Sequence, residues 1–262
     1  MILRRASAVL AFALALVAPL APAAAAERIV SSVSTHRVLI NSNFTGMDIV
    51  LFGTIEPDDG APPRSGSYDL VATVTGPKES VVTRIKERRL GIWVNTSSRE
   101  FIEVPSYLAV LSTRPFDQFV SPETRRRLQL GLRSTLLTQR IGPDFADTVR
   151  DDPFRMAFLR LKQERKFYVE DTGGVTLLTP TLFRATIPLP AEVPVGDYNI
   201  DLRLFVGGAA VARSSSAFQV AKVGFEQFVA SSAQHHGVLY GLATVSLALM
   251  TGWIASIMFR RD

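Results

Sequence analysis

The chain contains three histidines, and their positions decide whether a metal or acid–base site can be predicted. His36 stands alone before an apolar stretch, whereas His235 and His236 are adjacent and precede a long apolar segment. Adjacent residues on a helix point about 100° apart, so the pair is poorly placed to share one metal ion, and no third ligand lies near it in sequence. We expect the pair to form a polar cap on the apolar segment.

Carboxylates and nucleophiles give no catalytic pattern either. Asp58 and Asp59 lie in a loop rich in Pro and Gly, and Asp151 and Asp152 lie at the start of a predicted helix, so structural roles account for both pairs. The chain has no cysteine, which excludes thiolate chemistry and disulfides, and it has no GxSxG elbow, P-loop or Rossmann glycine pattern. We predict no catalytic, cofactor-binding or metal-binding residues and a protein that is not an enzyme.

One group of cations has the spacing of a binding face. In SVVTRIKERR, Arg84, Lys86 and Arg88 occupy alternate positions, which places them on one face of a strand. They are the possible anion-binding residues of the sequence, and the solvated face of a sheet is the alternative. Trp93 follows in RRLGIWVN, where alternation favours burial in a sandwich core over an interface or ligand-stacking position.

The elements around these residues are predicted to be β-strands. From Val38 to Ser112, and again from 166 to 223, short β-branched or aromatic stretches alternate with Gly, Pro, Asn and Asp. In LPAEVPVGDYNIDLRLFV, Tyr198 follows a Pro-rich turn at the head of a strand, as in the tyrosine corner of Greek-key sandwiches. We predict a mainly β protein, an immunoglobulin-like β-sandwich with a helical insertion. Two small β lobes joined by helices are the alternative.

The insertion contains two predicted helices. SPETRRRLQLGL offers Ser121 as N-cap before Pro122, and DDPFRMAFLRLKQERK begins with Asp152 as cap before Pro153. In the second helix an i, i+3, i+4, i+7 stripe predicts the core face, and a basic face lies opposite, either solvated or in contact with anionic headgroups. The stripe consists of Phe154, Ala157, Phe158 and Leu161, and the basic face of Arg160, Lys162, Arg165 and Lys166.

The N-terminal segment has the pattern of a secretory signal peptide. Arg4 and Arg5 precede an apolar stretch, and small residues lead to Ala26. Two prolines interrupt the end of that stretch, which favours cleavage after Ala26 over a signal anchor.

The other end of the chain has the pattern of a membrane span. Residues 237–259 contain no charged side chain and, at about 1.5 Å per residue, can cross a hydrocarbon core of about 30 Å. A buried core helix is the alternative, but such helices rarely carry apolar and small residues on every face. Arg260 and Arg261 then mark the cytoplasmic side. We predict one C-terminal transmembrane helix, with residues 27 to about 236 exported and only residues 260–262 in the cytoplasm.

The excess of basic residues lies mostly in the two end segments. Removing Arg4, Arg5, Arg260 and Arg261 from the 29 basic residues and Asp262 from the 24 acidic ones leaves 25 against 23. No basic stripe interleaved with stacking aromatics remains, so the composition gives no support for a nucleic-acid partner.

Small residues recur along one line of the predicted span. The line, here called the seam, consists of Gly237, Gly241, Thr244, Ala248, Thr251 and Ala255. Apolar burial does not drive helices together inside lipid, whereas small residues let their backbones approach closely. We therefore predict that the span packs against another transmembrane helix, either its own copy or a multi-pass partner.

These patterns divide the chain into seven parts. They are a signal peptide (1–26), a first β-rich part (27–115), the helical insertion (116–166), a second β-rich part (167–223), a juxtamembrane helix (224–236), the transmembrane helix (237–259) and a cytoplasmic tail (260–262).

Five stretches carry a resemblance to a known family. They are NSNFTGMDIVLFG, YDLVATVTGPKESVVTRIKERRLGIWVN, EVPSYLAVLSTRP, LFRATIPLPAEVPVGDYNIDLRLFVGG, and VGFEQFV with the span and FRR behind it. From about Ile29 to its end, the chain resembles a family of alphaproteobacterial transmembrane proteins. The resemblance implies a bacterial inner-membrane protein with a periplasmic domain, and it brings no activity and no catalytic residues. Members are often encoded near permeases that resemble sulfite exporters.

Two functions therefore remain. The first is a membrane-anchored accessory or assembly partner of another membrane protein, with a transporter as one such partner. The second is a periplasmic module, anchored to the membrane, that binds an anionic or small solute.

Overall fold

The computed structural model describes residues 27–56, 68–141, 144–147, 151–224, 233 and 236–258. The strands in these ranges are β1 (Arg28–Val33), β2 (Arg37–Ile40), β3 (Gly46–Glu56), β4 (Asp69–Thr75), β5 (Lys78–Arg89), β6 (Ile92–Pro105), β7 (Leu108–Ser112), β8 (Thr138–Ile141), β9 (Asp144–Asp147), β10 (Tyr168–Asp171), β11 (Val175–Leu177), β12 (Leu182–Pro190), β13 (Gly196–Val206) and β14 (Ala209–Lys222). The helices are α1 (Pro122–Arg127), α2 (Pro153–Glu164) and α3 (Gly237–Met258), with 3-10 turns at Phe116–Gln118 and Leu132–Ser134.

Several predicted features lie outside the described residues. They are the signal peptide with its cleavage position, the loop that carries Asp58 and Asp59, most of the juxtamembrane helix with His235, and the end of the chain with Arg260 and Arg261.

Two sheets face each other across the main core. One has six strands in the order β10-β7-β4-β13-β14-β2, and the other has four in the order β1-β3-β12-β11. Strands from either side of the insertion are neighbours in both sheets, since β13 pairs with β4 and β12 pairs with β3. The protein is mainly β, as predicted, and its two β-rich parts form one sandwich and not two lobes. The immunoglobulin-like arrangement of the strands stays a prediction.

Alternation of apolar residues explains why these strands face the main core. In β12, Phe183, Ala185 and Ile187 are buried while the residues between them are exposed. Ile200 and Leu202 of β13 point at them from the six-stranded sheet and belong to the same core cluster. Each large apolar side chain buried in this way stabilises the fold by about 1.5 to 3 kcal/mol relative to exposure.

A second core covers the opposite face of the six-stranded sheet. Val71 of β4 and Val110 of β7 pack there against Phe154, Phe158 and Leu159 of α2. Strands β4 and β7 are therefore buried on both faces, which accounts for their nearly continuous apolar runs, LVATV and LAVL. The helical insertion thus forms a third layer on the sandwich.

The third sheet has the order β5-β6-β8-β9. Strand β6 is a single strand of 14 residues, and a register shift opposite Ile85 and Lys86 keeps it paired with β5. Strands β1, β8 and β9 were not predicted. The last two lie within 116–166, so the insertion is not purely helical.

Both predicted helix caps are confirmed. The Ser121 hydroxyl accepts a hydrogen bond from the Thr124 N–H, and Asp152 accepts from the N–H groups of Phe154 and Arg155 at 2.8 and 3.2 Å. Such caps satisfy backbone donors that the first turn leaves free and contribute about 1 kcal/mol each.

The predicted core stripe of α2 is only partly right. Phe154 and Phe158 are buried, but Leu161 is 47% exposed, and Arg155 and Leu159 are buried instead. The buried face is thus rotated by about one position from the apolar stripe. It includes Arg155, which a hydrophobic pattern assigns to the surface.

The prediction of a solvated basic face is wrong for Lys162. Its side chain is only 12% exposed, pairs with Glu79 of β5, and donates to the Ser106 carbonyl at 3.2 Å. The ammonium also lies 5.4 Å from the ring centre of Phe167. Lys162 therefore links α2 to strand β5 and to the residue that follows β6.

The predicted corner at Tyr198 is confirmed. The ring is fully buried, and the hydroxyl donates to the Pro194 carbonyl at 2.6 Å. Two further buried tyrosines donate to proline carbonyls that are distant in sequence. Tyr107 donates to the Pro188 carbonyl at 2.5 Å, and Tyr168 donates to the Pro105 carbonyl at 2.7 Å. Burial raises the pKa of all three hydroxyls, so each is held as a neutral donor.

Candidate functional site

The basic face predicted from the sequence is present in the structure. Arg84, Lys86 and Arg88 lie on one exposed face of β5, which is an edge strand of its sheet. Arg88 Nε donates to the Gly91 carbonyl at 3.4 Å, and within the described residues neither Arg84 nor Lys86 forms an ion pair. The face is therefore exposed to solvent and, as far as the described residues go, carries a net positive charge.

The turn of the β5–β6 hairpin is strained. Leu90 and Gly91 connect the two strands with φ angles of 49° and 83°, as a two-residue hairpin turn requires. Gly91 adopts this conformation without penalty, whereas a leucine in the left-handed region costs about 1 to 2 kcal/mol. The Leu90 side chain is fully exposed at 104%, so no packing within the described chain offsets that cost.

The end of the hairpin is apolar as well as basic. Ile92 and Trp93 are 64% and 69% exposed, so the prediction that Trp93 is a core residue is wrong. Among the described residues, the base of the hairpin contributes Phe101 and Val104 to the second core, and Val81 and Ile85 pack against it, whereas the end of the hairpin makes no contact with it. Nothing in the sequence indicates this projection, since alternation alone does not show where two strands extend past the neighbouring elements.

Two of the clefts between described residues lie away from this hairpin, and each has an arginine that is already paired. One of about 700 Å³ is lined by α2 and by Arg125, whose guanidinium already pairs with Asp117 at 3.2 Å and Glu170 at 3.4 Å. The other, of about 960 Å³, adjoins Asp69 and Arg114, which form a bidentate ion pair with both distances at 2.6 Å. The hydrogen bonds to Asp69 raise the pKa of Arg114. These cations are engaged within the fold.

The described histidines, His36 and His236, lie far apart along the chain from the carboxylate that caps α2. His36 is exposed just before β2, and its carbonyl accepts from the Gln219 N–H at 2.8 Å. His236 is exposed and lies one residue before α3, and Asp152 caps α2. In the part of the chain that the structure describes, no three His, Asp or Glu side chains are grouped so as to hold a metal ion.

Helix α3 is long and apolar enough to cross a bilayer. Its 22 residues span about 33 Å, and the apolar segment Tyr240–Met258 has no buried residue. The lack of burial argues against the core-helix alternative. By length and composition, α3 is thus a candidate span, and it is the one such helix among the described residues.

All six seam residues lie in α3 and are exposed. A Cβ atom added at Gly237 or Gly241 would meet no other atom within 4 Å outside the helix itself. The hydroxyls of Thr244 and Thr251 donate to the carbonyls of Tyr240 and Leu247, four residues back, at 2.8 and 2.5 Å. The seam therefore has its polar groups satisfied and its surface free for packing.

Comparison with known proteins fits this architecture. A search of curated proteins finds no match. The family model described as "Putative transmembrane protein (Alph_Pro_TM)" matches residues 28–261, a range that includes the sandwich, the helical layer, the hairpin and α3. With nearly the whole chain covered, the protein belongs to the Alph_Pro_TM family of transmembrane proteins.

Proposed function

We propose that the protein is a non-enzymatic, single-pass membrane protein that acts as an accessory or assembly partner of another membrane protein. The observation that carries the proposal is the seam, which is smooth, exposed and without contacts to the rest of the described chain. The family match and the one apolar helix support a location in the bilayer. A transporter is the kind of partner that the family resemblance favours.

The seam gives α3 a face on which a second helix can pack closely. Lipid chains are as apolar as leucine, so association of helices in a bilayer depends on close packing and not on burial of apolar area. Gly237 and Gly241 are four residues apart, the spacing at which helix backbones approach most closely. Leu242 and Leu249 lie off the seam, where bulk only contacts lipid.

Replacing Gly241 and Ala248 together by Ile is expected to dissociate the complex in mild detergent while the β domain stays folded. Two branched side chains on the seam would separate the helix backbones and remove the close packing. Crosslinking followed by size-exclusion chromatography measures the association, and circular dichroism measures folding. As a matched control, Leu242→Ile with Leu249→Ile should change neither. Equal effects of the two pairs of substitutions, or no effect from either, would show that the seam does not mediate association and that α3 is a membrane anchor alone.

We further propose that the β domain lies in the periplasm of a bacterial inner membrane and that the C-terminus lies in the cytoplasm. Support comes from the signal-peptide pattern of 1–26 and from Arg260 and Arg261 behind the span.

Reporter fusions test this orientation. A reporter that is active only in the cytoplasm should work when fused after Asp262 and should fail when fused after Lys222. A reporter that works only in the periplasm serves as the control and should give the opposite pair of results. Cytoplasmic activity at Lys222 would overturn the proposed orientation.

Binding of a small anion at Arg84, Lys86 and Arg88 is the alternative that the sequence leaves open. The structure places the three side chains on an open strand face, and the clefts of about 700 and 960 Å³ are lined by other residues. A small solute would remain hydrated on such a face, and no observation favours that function over the first.

A further inference from the structure

The end of the β5–β6 hairpin exposes three large apolar side chains next to one another. Leu90 occupies the turn, and Ile92 and Trp93 follow at the start of β6, all more than 60% exposed. Trp93 lies directly opposite Arg88, and Ile92 opposite Arg89, so the two apolar residues point to opposite faces of the ribbon. The apolar group therefore surrounds the end of the hairpin and does not form a stripe along it.

Cations stand directly behind this apolar end. Arg88 and Arg89 adjoin the turn, and Lys86 and Arg84 follow along β5. Glu87, the one acidic residue of this group, pairs with Arg89 at 3.3 Å. An apolar end backed by long cationic side chains matches the layers of an anionic membrane surface, in which phosphates lie above acyl chains.

The strain at Leu90 points the same way. Asn or Gly would adopt the φ of 49° at lower cost, and Leu90 has no packing contact with the described residues that would compensate for it. Strained backbone without a structural benefit is typical of functional positions. The benefit must then lie in what the exposed side chain contacts.

The identity of the surface follows from charge and from the position of α3. Two copies meeting end to end would bring like charges together, which disfavours self-association through this end. Strand β14 ends at Lys222 and α3 begins at Gly237, so the connection spans at most about 50 Å even when fully extended. The β domain is therefore confined to the vicinity of a bilayer, where even weak contacts become populated.

We propose that the end of the β5–β6 hairpin binds the surface of an anionic phospholipid bilayer. Leu90, Ile92 and Trp93 enter the interface, and Lys86 and Arg88 contact lipid phosphates. Tryptophan is well suited to this depth because its ring is apolar and its N–H remains hydrated. The hairpin would give the β domain a second attachment besides α3 and fix its orientation on the membrane. The proposal does not depend on the seam.

Fluorescence of Trp93 in the full chain tests the proposal. The chain has two tryptophans, so Trp253→Phe in α3 leaves Trp93 as the sole reporter. The protein is reconstituted in vesicles of phosphatidylcholine alone or mixed with phosphatidylglycerol, with lipids brominated near the headgroup as quenchers. In the anionic vesicles Trp93 should emit at shorter wavelength and be quenched. In vesicles of phosphatidylcholine alone, or at about 1 M salt, where charges are screened beyond about 3 Å, both effects should weaken.

Two variants separate contact from folding. Leu90→Asn suits the turn better and should leave the melting temperature unchanged or higher, yet it should lose most of the quenching. Lys86→Gln with Arg88→Gln should lose the quenching of Trp93 in anionic vesicles and leave the weaker quenching in phosphatidylcholine vesicles unchanged. Emission typical of hydrated indole, without quenching, would overturn the proposal. So would a blue shift without quenching, which would indicate a protein partner, or equal quenching in both kinds of vesicle regardless of the substitutions.

Discussion

Replacing Tyr198 by Ala is expected to destabilise the β domain by about 3 to 5 kcal/mol, and replacing it by Phe by about 1 kcal/mol. The ring is fully buried and lies 4.9 Å from the ring of Phe218 and 5.7 Å from that of Tyr107, measured between centres. Alanine would leave a cavity between the two sheets. Phenylalanine would remove only the hydrogen bond to the Pro194 carbonyl.

Thermal unfolding of the full chain in mild detergent, followed by circular dichroism, measures both losses. In a domain of this size 1 kcal/mol corresponds to about 2 to 4 °C, so Tyr198→Ala should lower the midpoint by roughly 10 °C. Phe52→Ala is the matched control, because Phe52 belongs to β3 of the same sandwich but is 46% exposed. An unchanged midpoint for Tyr198→Ala would show that the corner does not stabilise the fold.

Tyr198 also shows which parts of the fold can be predicted from sequence. Its turn, its strand and its hydrogen bond are close together along the chain, so local residue patterns contain them. The same holds for the caps at Ser121 and Asp152, where one side chain and the next few N–H groups suffice. Strands such as β12 were predictable because one face is buried and the pattern alternates.

Features that depend on distant parts of the chain were not predictable in this way. Strands β8 and β9 lack a strong alternating pattern and form because β6 extends far enough to pair with β8. Lys162 looks like a solvated cation until β5 brings Glu79 to it. Trp93 has the alternation of a core residue, and its exposure follows only from where the helical layer ends.

The candidate site on the β5–β6 hairpin likewise has a part that local sequence predicts and a part that it does not. Alternation correctly placed Arg84, Lys86 and Arg88 on one face, and their exposure agrees with the solvated alternative. The apolar end that makes this face a candidate membrane contact depends on the length of the hairpin and on the turn at Leu90. An RRLG sequence indicates a turn, but it does not show that the turn projects from the fold.

Arg155 is a charged residue that stabilises the helical layer from a buried position. It is 2% exposed in α2, and its guanidinium donates to the carbonyls of Arg133 and Thr135 at 3.3 and 2.5 Å. It also pairs with Asp147 of β9 at 3.4 Å. A hydrophobic pattern treats Arg155 as a surface residue, whereas it joins α2 to the 3-10 turn and to the third sheet.

Arg155→Met keeps the length of the side chain but removes its donors. Two carbonyls that each lose a charged donor, at roughly 1.5 kcal/mol apiece, give an expected loss of about 3 kcal/mol in unfolding free energy. Arg160→Met is the matched control on the same helix. Its side chain is 71% exposed and pairs only with Glu164 at 3.7 Å among the described residues, so its loss should stay below about 0.5 kcal/mol.

Hydrogen exchange distinguishes how the Arg155 variant fails. The main core lies between the two sandwich sheets and shares no side chain with the second core, so the helical layer is able to open while the sandwich stays closed. In Arg155→Met, amides of α2 and β8 should lose protection first, and those of β12 and β13 should keep theirs until global unfolding. Simultaneous loss across both cores would show that the three layers unfold as one unit. Unchanged protection in α2 would show that the guanidinium contributes nothing to holding the helical layer in place.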